Sequence, residues 1–451
     1  MSSKAKEFTT HQMDIIDGHT AQVALFQTPP TNTAVQKIEW FEYQPLCLNE
    51  QACSALEFRV PGTGAHYFDL PKTRLQLKIK LVQKDGTDLT DRAKVGPVNL
   101  LHSSLFSSVD VNFQQQSINK SAPPQYAYKS YWDTLLRYGS DVKASYLQAQ
   151  LFHPDLAGSF DNADPYPSDD DDATGSVPND GLITRANYCK ASKVVELEGP
   201  LHIDVFQQPR YLLNGVPIHL KLWQNSDAFK LMSSERGAGY RIVITSAVLK
   251  MCGVTITPEV LLAHNEALKK SPALYPFYQS DFKVFSLAKG LYDFTADNLY
   301  QGAVPSKVLV ALVAAEAYNG TYSRNPFNCQ HASLKHLAFT VDGVSVPARP
   351  LQLDYSADQY LDGYLTLFTG CGFYGANESS GISRYNYKKG YCLYLIDLDS
   401  QHSTDYLPLP KQGNTRIAVH FAHALPEAMN LVVYGKFPAV LKIDAARNVV
   451  L

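Results

Sequence analysis

From Arg74 to Leu81 the chain alternates without exception. Leu75, Leu77, Ile79 and Leu81 are apolar; Arg74, Gln76, Lys78 and Lys80 are polar. A side-chain period of two is what a strand shows when one face meets a core and the other meets water, whereas a helix needs a period of 3.6. Asp85-Gly86 then supplies turn chemistry. The same alternation returns at Val109, Val111 and Phe113, and at Ile218, Leu220 and Leu222. Residues 242–244, 417–421 and 431–434 also read as strands. The 27 Tyr and 21 Phe push the whole chain the same way.

Helical signals are few. Within 128–151, Tyr131, Leu135 and Tyr138 recur at helical spacing with Trp132 and Leu136 beside them. Gly139 should end that piece, and Ser140 or Asp141 should cap a second. A further helix is expected from Thr257 as N-cap, with Pro258 in the first helical position, to about Lys269. Strand runs separated by turns, not alternating with helices, imply an all-β chain with short helices, built as sandwiches.

The 451 residues are enough for two or three such units, and internal similarity favours two. EFRVPGTGAHYFDL (57–70) resembles DFKVFSLAKGLYDF (281–294). The strand at Thr73 answers the one at Ser306. HSSL before Val109-Asp110 answers HASL before Val341-Asp342, and GVPIHLKL (215–222) answers NTRIAVHF (414–421). The order is the same in both halves. The expected division is therefore an arm at 1–36, a first unit at 37–236 and a second at 237–451. An acidic loop at 155–178, carrying the run Asp169 to Asp172, is expected to project from the first unit as a solvated, dispensable surface segment.

Composition then excludes several functions. A net charge of −3 argues against a protein that works by coating phosphates. The longest apolar run, Val308 to Ala315, is too short for a membrane helix, which needs about 20 residues. The N-terminal stretch lacks the apolar region of a signal peptide. Seven widely spaced cysteines (Cys47, Cys53, Cys189, Cys252, Cys329, Cys371 and Cys392) with no CxxC pair are expected to be free thiols in a reducing compartment. The sequons at Asn119, Asn319 and Asn377 read as chance matches.

No catalytic, cofactor or metal residues emerge. Gly62 and Gly64 make a turn, since the third glycine and the helix of a dinucleotide site are missing. Cys329, His331, His336, His420 and His423 are metal-ligand types, yet His420 shows no second ligand on its strand face. Asp397 and Asp399 would share a strand face, but nothing marks a substrate cleft beside them. Tyr126, Tyr128, Tyr131, Trp132, Tyr138 and Tyr146 could form a stacking platform for sugars or bases; beside Leu135 and Leu136 they are read as core packing. From the residues alone, a binding or structural protein follows.

Longer stretches carry a resemblance. They include LFQTPPTNTAV (25–35), VGPVNLLHSSLFSSVDV (95–111), YAYKSYWDTLLRYGSDVKASYLQAQLF (126–152), GLITRANYCKASKVVELEGPLHIDVFQQPRYLLNGVPIHLKL (181–222), NPFNCQHASLKHLAFTVDGVSVP (325–347) and VLKIDAARNVV (440–450). In these the chain resembles the double jelly-roll major capsid proteins of Polinton (Maverick) elements and adintoviruses, in the lineage of the adenovirus hexon. Cys329 departs from the family, which tends to an aromatic there, and the acidic loop is particular to this chain. The resemblance implies two tandem eight-stranded β-sandwiches and no enzyme activity or cofactor. It implies a homotrimeric, pseudo-hexameric capsomer that tiles an icosahedral shell around a DNA genome. Partners would be further copies and a penton or minor capsid protein at the vertices, with no sequence-specific nucleic-acid binding and no transmembrane segment. The implied location is the virion, after assembly in the host nucleus or cytoplasm. The alternative from a different class is a carbohydrate-binding or adhesion sandwich, which would call for secretion and disulfides.

Overall fold

The computed structural model describes residues 32–48, 55–62, 64, 66–119, 122–166, 177–235, 237, 239–399 and 407–451. Nearly all of the expected arm, Cys53 and the run Asp169 to Asp172 lie outside the described residues.

The alternating segments are strands. In the first half they are β1 (Val35–Tyr43), β2 (Ala55–Val60), β3 (His66–Gln83), β4 (Phe106–Phe113), β5 (Gln116–Asn119), β6 (Val195–Pro200), β7 (Ile218–Gln224) and β8 (Tyr240–Ile256). In the second they are β9 (Ala273–Leu287), β10 (Asp293–Ala296), β11 (Lys307–Ala314), β12 (Leu334–Val341), β13 (Val344–Ser345), β14 (Leu393–Asp397), β15 (Thr415–Phe421) and β16 (Met429–Ile443). The two main sheets of the first half are antiparallel, ordered β1-β8-β3-β6 and β2-β7-β4-β5, beside a small two-stranded sheet that pairs Val95–Pro97 with Leu231–Ser233. The main strands of the second half repeat that order with every number raised by eight, β9-β16-β11-β14 and β10-β15-β12-β13; Val449–Val450 adds to β16, Leu351–Gln352 adds to β12, and Ala303–Val304 pairs with Lys411–Gln412.

The apolar side of the 74–81 alternation faces inward: Leu75, Leu77, Ile79 and Leu81 are all 0% exposed. Leu220 and Leu222 oppose Phe58 and Leu56 across the second sheet of that sandwich, and all four are buried. β11 differs. Every residue from Val308 to Ala314 is buried, so this strand is covered on both faces, which explains its continuous apolar run; its neighbour β16 is likewise buried from Met429 to Gly435.

Two sequence expectations change. β8 lies between β1 and β3 in the first sandwich's sheet. The division expected between 236 and 237 is therefore one strand early, and the chain changes sandwich at helix Pro258–Leu268. Periodicity marks a strand but carries no information about its partners. Likewise, 57–70 spans β2 and β3, whereas 281–294 spans β9 and β10, so this pair of similar blocks is out of step by one strand. The other matches fall on equivalent strands: β3 with β11, β4 with β12 and β7 with β15.

The helices are short. α1 (Gln125–Arg137) and α2 (Asp180–Cys189) lie between β5 and β6; α3 (Pro258–Leu268) joins the sandwiches; α4 (Leu361–Cys371) lies between β13 and β14. The 128–151 segment does break before Gly139, with the first helix ending at Arg137, but Gly139, not Ser140 or Asp141, takes the N-cap of the one-turn helix at Ser140–Lys143. α3 starts as expected, with Thr257 at the N-cap and Pro258 in the first turn. The Thr257 hydroxyl makes no capping bond, so extended backbone and proline set this start.

Cys189, Cys252, Cys329, Cys371 and Cys392 are free, but Cys47 is disulfide-bonded, against the expectation of seven thiols. An odd count requires only that one thiol be left over. Pairing depends on approach in the folded chain, which spacing does not report.

Candidate assembly surface and the seam between the sandwiches

α1 belongs to a connection of the first sandwich, yet it plugs into the second. Tyr131 stacks on Phe327 with ring centroids 4.1 Å apart, Tyr128 on Tyr318 at 5.3 Å, and Trp132 on Phe282 of β9 at 6.1 Å. Tyr128, Tyr131, Trp132 and Leu135 lie in the second sandwich's core cluster, while Tyr126 lies in the first's. The aromatic stripe is thus core packing, as read from the sequence, but most of it serves the other core. Tyr146 is the exception, 55% exposed.

The polar side of α1 crosses the same seam. Lys129 lies 3.1 Å from Asp133 and 3.2 Å from Asp204, and donates to the His202 carbonyl at 3.0 Å. Lys436 of β16 meets Asp133 at 2.8 Å. Asp204 accepts from the amide and hydroxyl of Ser280 on β9, both at 2.8 Å. Two cations and two carboxylates therefore neutralise one another between the sandwiches. Burial alone would push the Asp133 carboxyl up; Lys129 and Lys436 reverse this and hold it well below the usual carboxylate range. Lys129 is correspondingly raised: burial opposes its charge, and Asp133 and Asp204 more than offset that. Lys143 has a different environment. Its ammonium donates to the Leu135 and Ser380 carbonyls, and burial pushes it down to about 8.

The acidic segment provides another tie. Asp155 and Arg185 of α2 form an ion pair at 2.6 Å with both side chains 0% exposed. Arg185 also donates to the carbonyls of Pro97 and His153, and the Tyr391 hydroxyl reaches the Asp155 carbonyl at 2.7 Å. Asp161 accepts from the Asn325 amide and from Asn328, both at 2.9 Å. Phe160 is buried in the second core. Its ring lies 2.4 Å from where a Cβ would stand at Gly390, whose φ is +110°, so that position requires glycine. Residues 155–164 are therefore not a dispensable solvated loop. The expectation rested on composition, and composition does not show which acidic groups find buried partners.

Other residues singled out in the sequence disperse. Cys329 is buried. His331 stacks on Tyr355 at 4.2 Å, and its Nδ1 accepts from the Ser333 amide. His423 lines the same hollow as His331, with Lys388 and Lys389, apart from His336 and His420. Asp397 accepts from the Asp399 amide and lies 3.6 Å from Lys307, a turn bonded within itself rather than a carboxylate pair facing a cleft. His336 and His420, by contrast, come together as direct cross-strand partners. The sequence could not pair them, because 84 positions separate two strands whose register is set by folding. Among the described residues no three His, Cys, Asp or Glu side chains converge as a metal cage, and no helix is long and apolar enough to cross a membrane.

The outward surface has apolar edges. Ile38 and Trp40 stand on β1, 52% and 46% exposed; Leu274 and Tyr278 stand on β9, 46% and 38% exposed. β1 and β9 are end strands of equivalent sheets. The Arg74 guanidinium lies 4.3 Å from the Trp40 ring centre, presenting a cation beside exposed aromatic surface. The β9 edge is itself partly met within the chain, with Arg210 donating to the Leu274 carbonyl and Asp204 accepting from the Ser280 amide, so it is the exposed apolar side chains of these end strands that offer places for chains to associate.

Two tandem sandwiches of identical strand order define a double jelly-roll protein. Comparison with solved structures agrees. A chain of the Sputnik virophage superposes with a TM-score of 0.61 at 10% identity, over 97% of this chain and 93% of that one. The Faustovirus major capsid protein gives 0.58 at 9% identity, over 93% and 92%. The mavirus major capsid protein gives 0.53 at 13%, over 96% and 93%. At these identities the likeness establishes the fold. By sequence, the chain is 24% identical over 436 residues to the uncharacterized Caenorhabditis elegans protein F54H12.2, covering 93% of this chain and 98% of that protein. No family model matches.

Proposed function

We propose that this chain is a major capsid protein of the Polinton and adintovirus type. The observation that carries the reading is the repeated strand order, in a fold shared along more than nine-tenths of each chain with the Faustovirus and mavirus major capsid proteins. Three chains would bring six similar sandwiches into one pseudo-hexagonal block. A closed ring of three joins two different patches of each copy head to tail, and the exposed apolar side chains of β1 and β9 offer two candidate patches per chain. The charged and aromatic ties across the seam suit the role, since a tile that must fit its neighbours needs a fixed angle between its two halves. The blocks would tile an icosahedral shell around a DNA genome, with a separate penton protein at the vertices, and the protein would reside in the virion without enzymatic activity.

The test is the particle formed by purified protein. Light scattering should give about three chain masses across dilution, and negative-stain images should show six-lobed blocks or closed shells. An obligate interface of this kind buries well over about 2,000 Å², so a persistent monomer at micromolar concentration overturns the reading.

A further inference from the structure

The outer face of the β10-β15-β12 sheet carries a polar row across its strands. His336 on β12 is the direct partner of His420 on β15, and His420 is in turn the direct partner of Asp293 on β10. Both histidines point away from the core, because Leu337 and Phe339, and Val419 and Phe421, occupy the inward positions. Directly opposed residues on one face hold their Cβ atoms about 4.5–5.5 Å apart. That spacing lets two imidazoles converge on one ion at the usual nitrogen–metal distance of about 2.0–2.1 Å.

Asp293 fixes the chemistry of one ring. Its Oδ1 lies 2.5 Å from His420 Nδ1. A carboxylate only accepts, so Nδ1 carries the proton and the neutral ring keeps its lone pair on Nε2. A carboxylate behind a histidine in this way raises the ligand's basicity and fixes its orientation. Beside the pair is a hollow of about 560 Å³, lined also by Lys335, Gln352, Asp354 and Gln359. It leaves room for water in the positions the protein does not fill.

We propose that His336 and His420 form a two-point chelate for a divalent late transition ion such as Ni²⁺, Cu²⁺ or Zn²⁺, with Asp293 as the positioning residue for His420 and water completing the coordination. Imidazole nitrogen suits these ions, and affinity should rise towards Cu²⁺. With only two protein ligands the ion stays open to exchange. The site does not depend on the capsid reading.

Full-length protein stripped by a chelator is titrated with Ni²⁺ and Zn²⁺ at neutral pH by calorimetry, and thermal unfolding checks that each variant is folded. A one-to-one component is expected in the parent protein. It should weaken at least about tenfold in both His336→Gln and His420→Gln, since each leaves a single ligand. Asp293→Asn should weaken it by roughly 10–100-fold, with Asp293→Glu restoring part of the loss. His423→Gln, in a different hollow, should leave it unchanged. Absence of binding up to millimolar ion overturns the proposal, as does a one-to-one component that survives in folded His336→Gln and His420→Gln.

Discussion

Replacing Lys129 with Met asks how much the seam charges hold. The ammonium lies 3.1 Å from Asp133 and 3.2 Å from Asp204. At an effective dielectric of about 20, each contact contributes roughly 5 kcal/mol of attraction, about 10 kcal/mol together. Against this stands the desolvation of a lysine whose side chain is 8% exposed, several kcal/mol. The substitution also strips the His202 carbonyl of its donor and leaves Lys436 alone against two carboxylates. A net loss of about 3–5 kcal/mol is expected, the range for removing one partner of a buried pair. Adding Asp204→Asn should recover much of it: one cation then faces one carboxylate, and the amide oxygen can still accept from Ser280. Urea unfolding of the parent, both single variants and the double variant, followed by tryptophan fluorescence, gives the coupling. It should be at least about 1 kcal/mol in favour of the double variant. A Lys129→Met loss below about 1 kcal/mol, or a double variant no better than the sum of its parts, would refute the claim that these charges are mutually compensated.

Two further outcomes are expected. His102 and His202 are buried, and burial lowers them to about 4 and about 3 from an ordinary 6.5. Both are neutral when folded, while the unfolded chain takes up protons below 6.5. Stability should therefore be full above pH 6.5 and fall by up to about 1.4 kcal/mol per pH unit for each histidine as pH drops towards 4. The Asp133 contribution, held by a lowered carboxyl, persists through that window and is lost only at stronger acid. Unfolding free energy measured against pH should show the slope, and a folded His202→Gln that keeps the full slope would count against the assignment. Peptide mapping of denatured, alkylated, unreduced protein should find Cys47 cross-linked and Cys189, Cys252, Cys329, Cys371 and Cys392 alkylated; an alkylated Cys47 in fresh protein contradicts the bridge.

Strand content, the inward faces of β3, β4 and β7, the start of α3 and the presence of two similar halves could all be read along the chain. Each is a local matter: alternation at spacing two, a proline in a first helical turn, a motif used twice. What folding alone decided is where distant residues meet. β8 reads as a strand at the head of the second half, yet its hydrogen bonds go to β1 and β3. The α1 aromatics read correctly as core, but the core they fill belongs to the other sandwich. Asp155, a loop carboxylate by composition, is fully buried against Arg185, and Cys47 is bridged where spacing suggested a thiol. His420 lacked a visible second ligand because His336 lies 84 positions away and is brought opposite only by the register of β12 on β15. A side chain's local pattern fixes which way it faces; which surface it then meets is set by the packing of two sandwiches, and that depends on contacts across hundreds of residues.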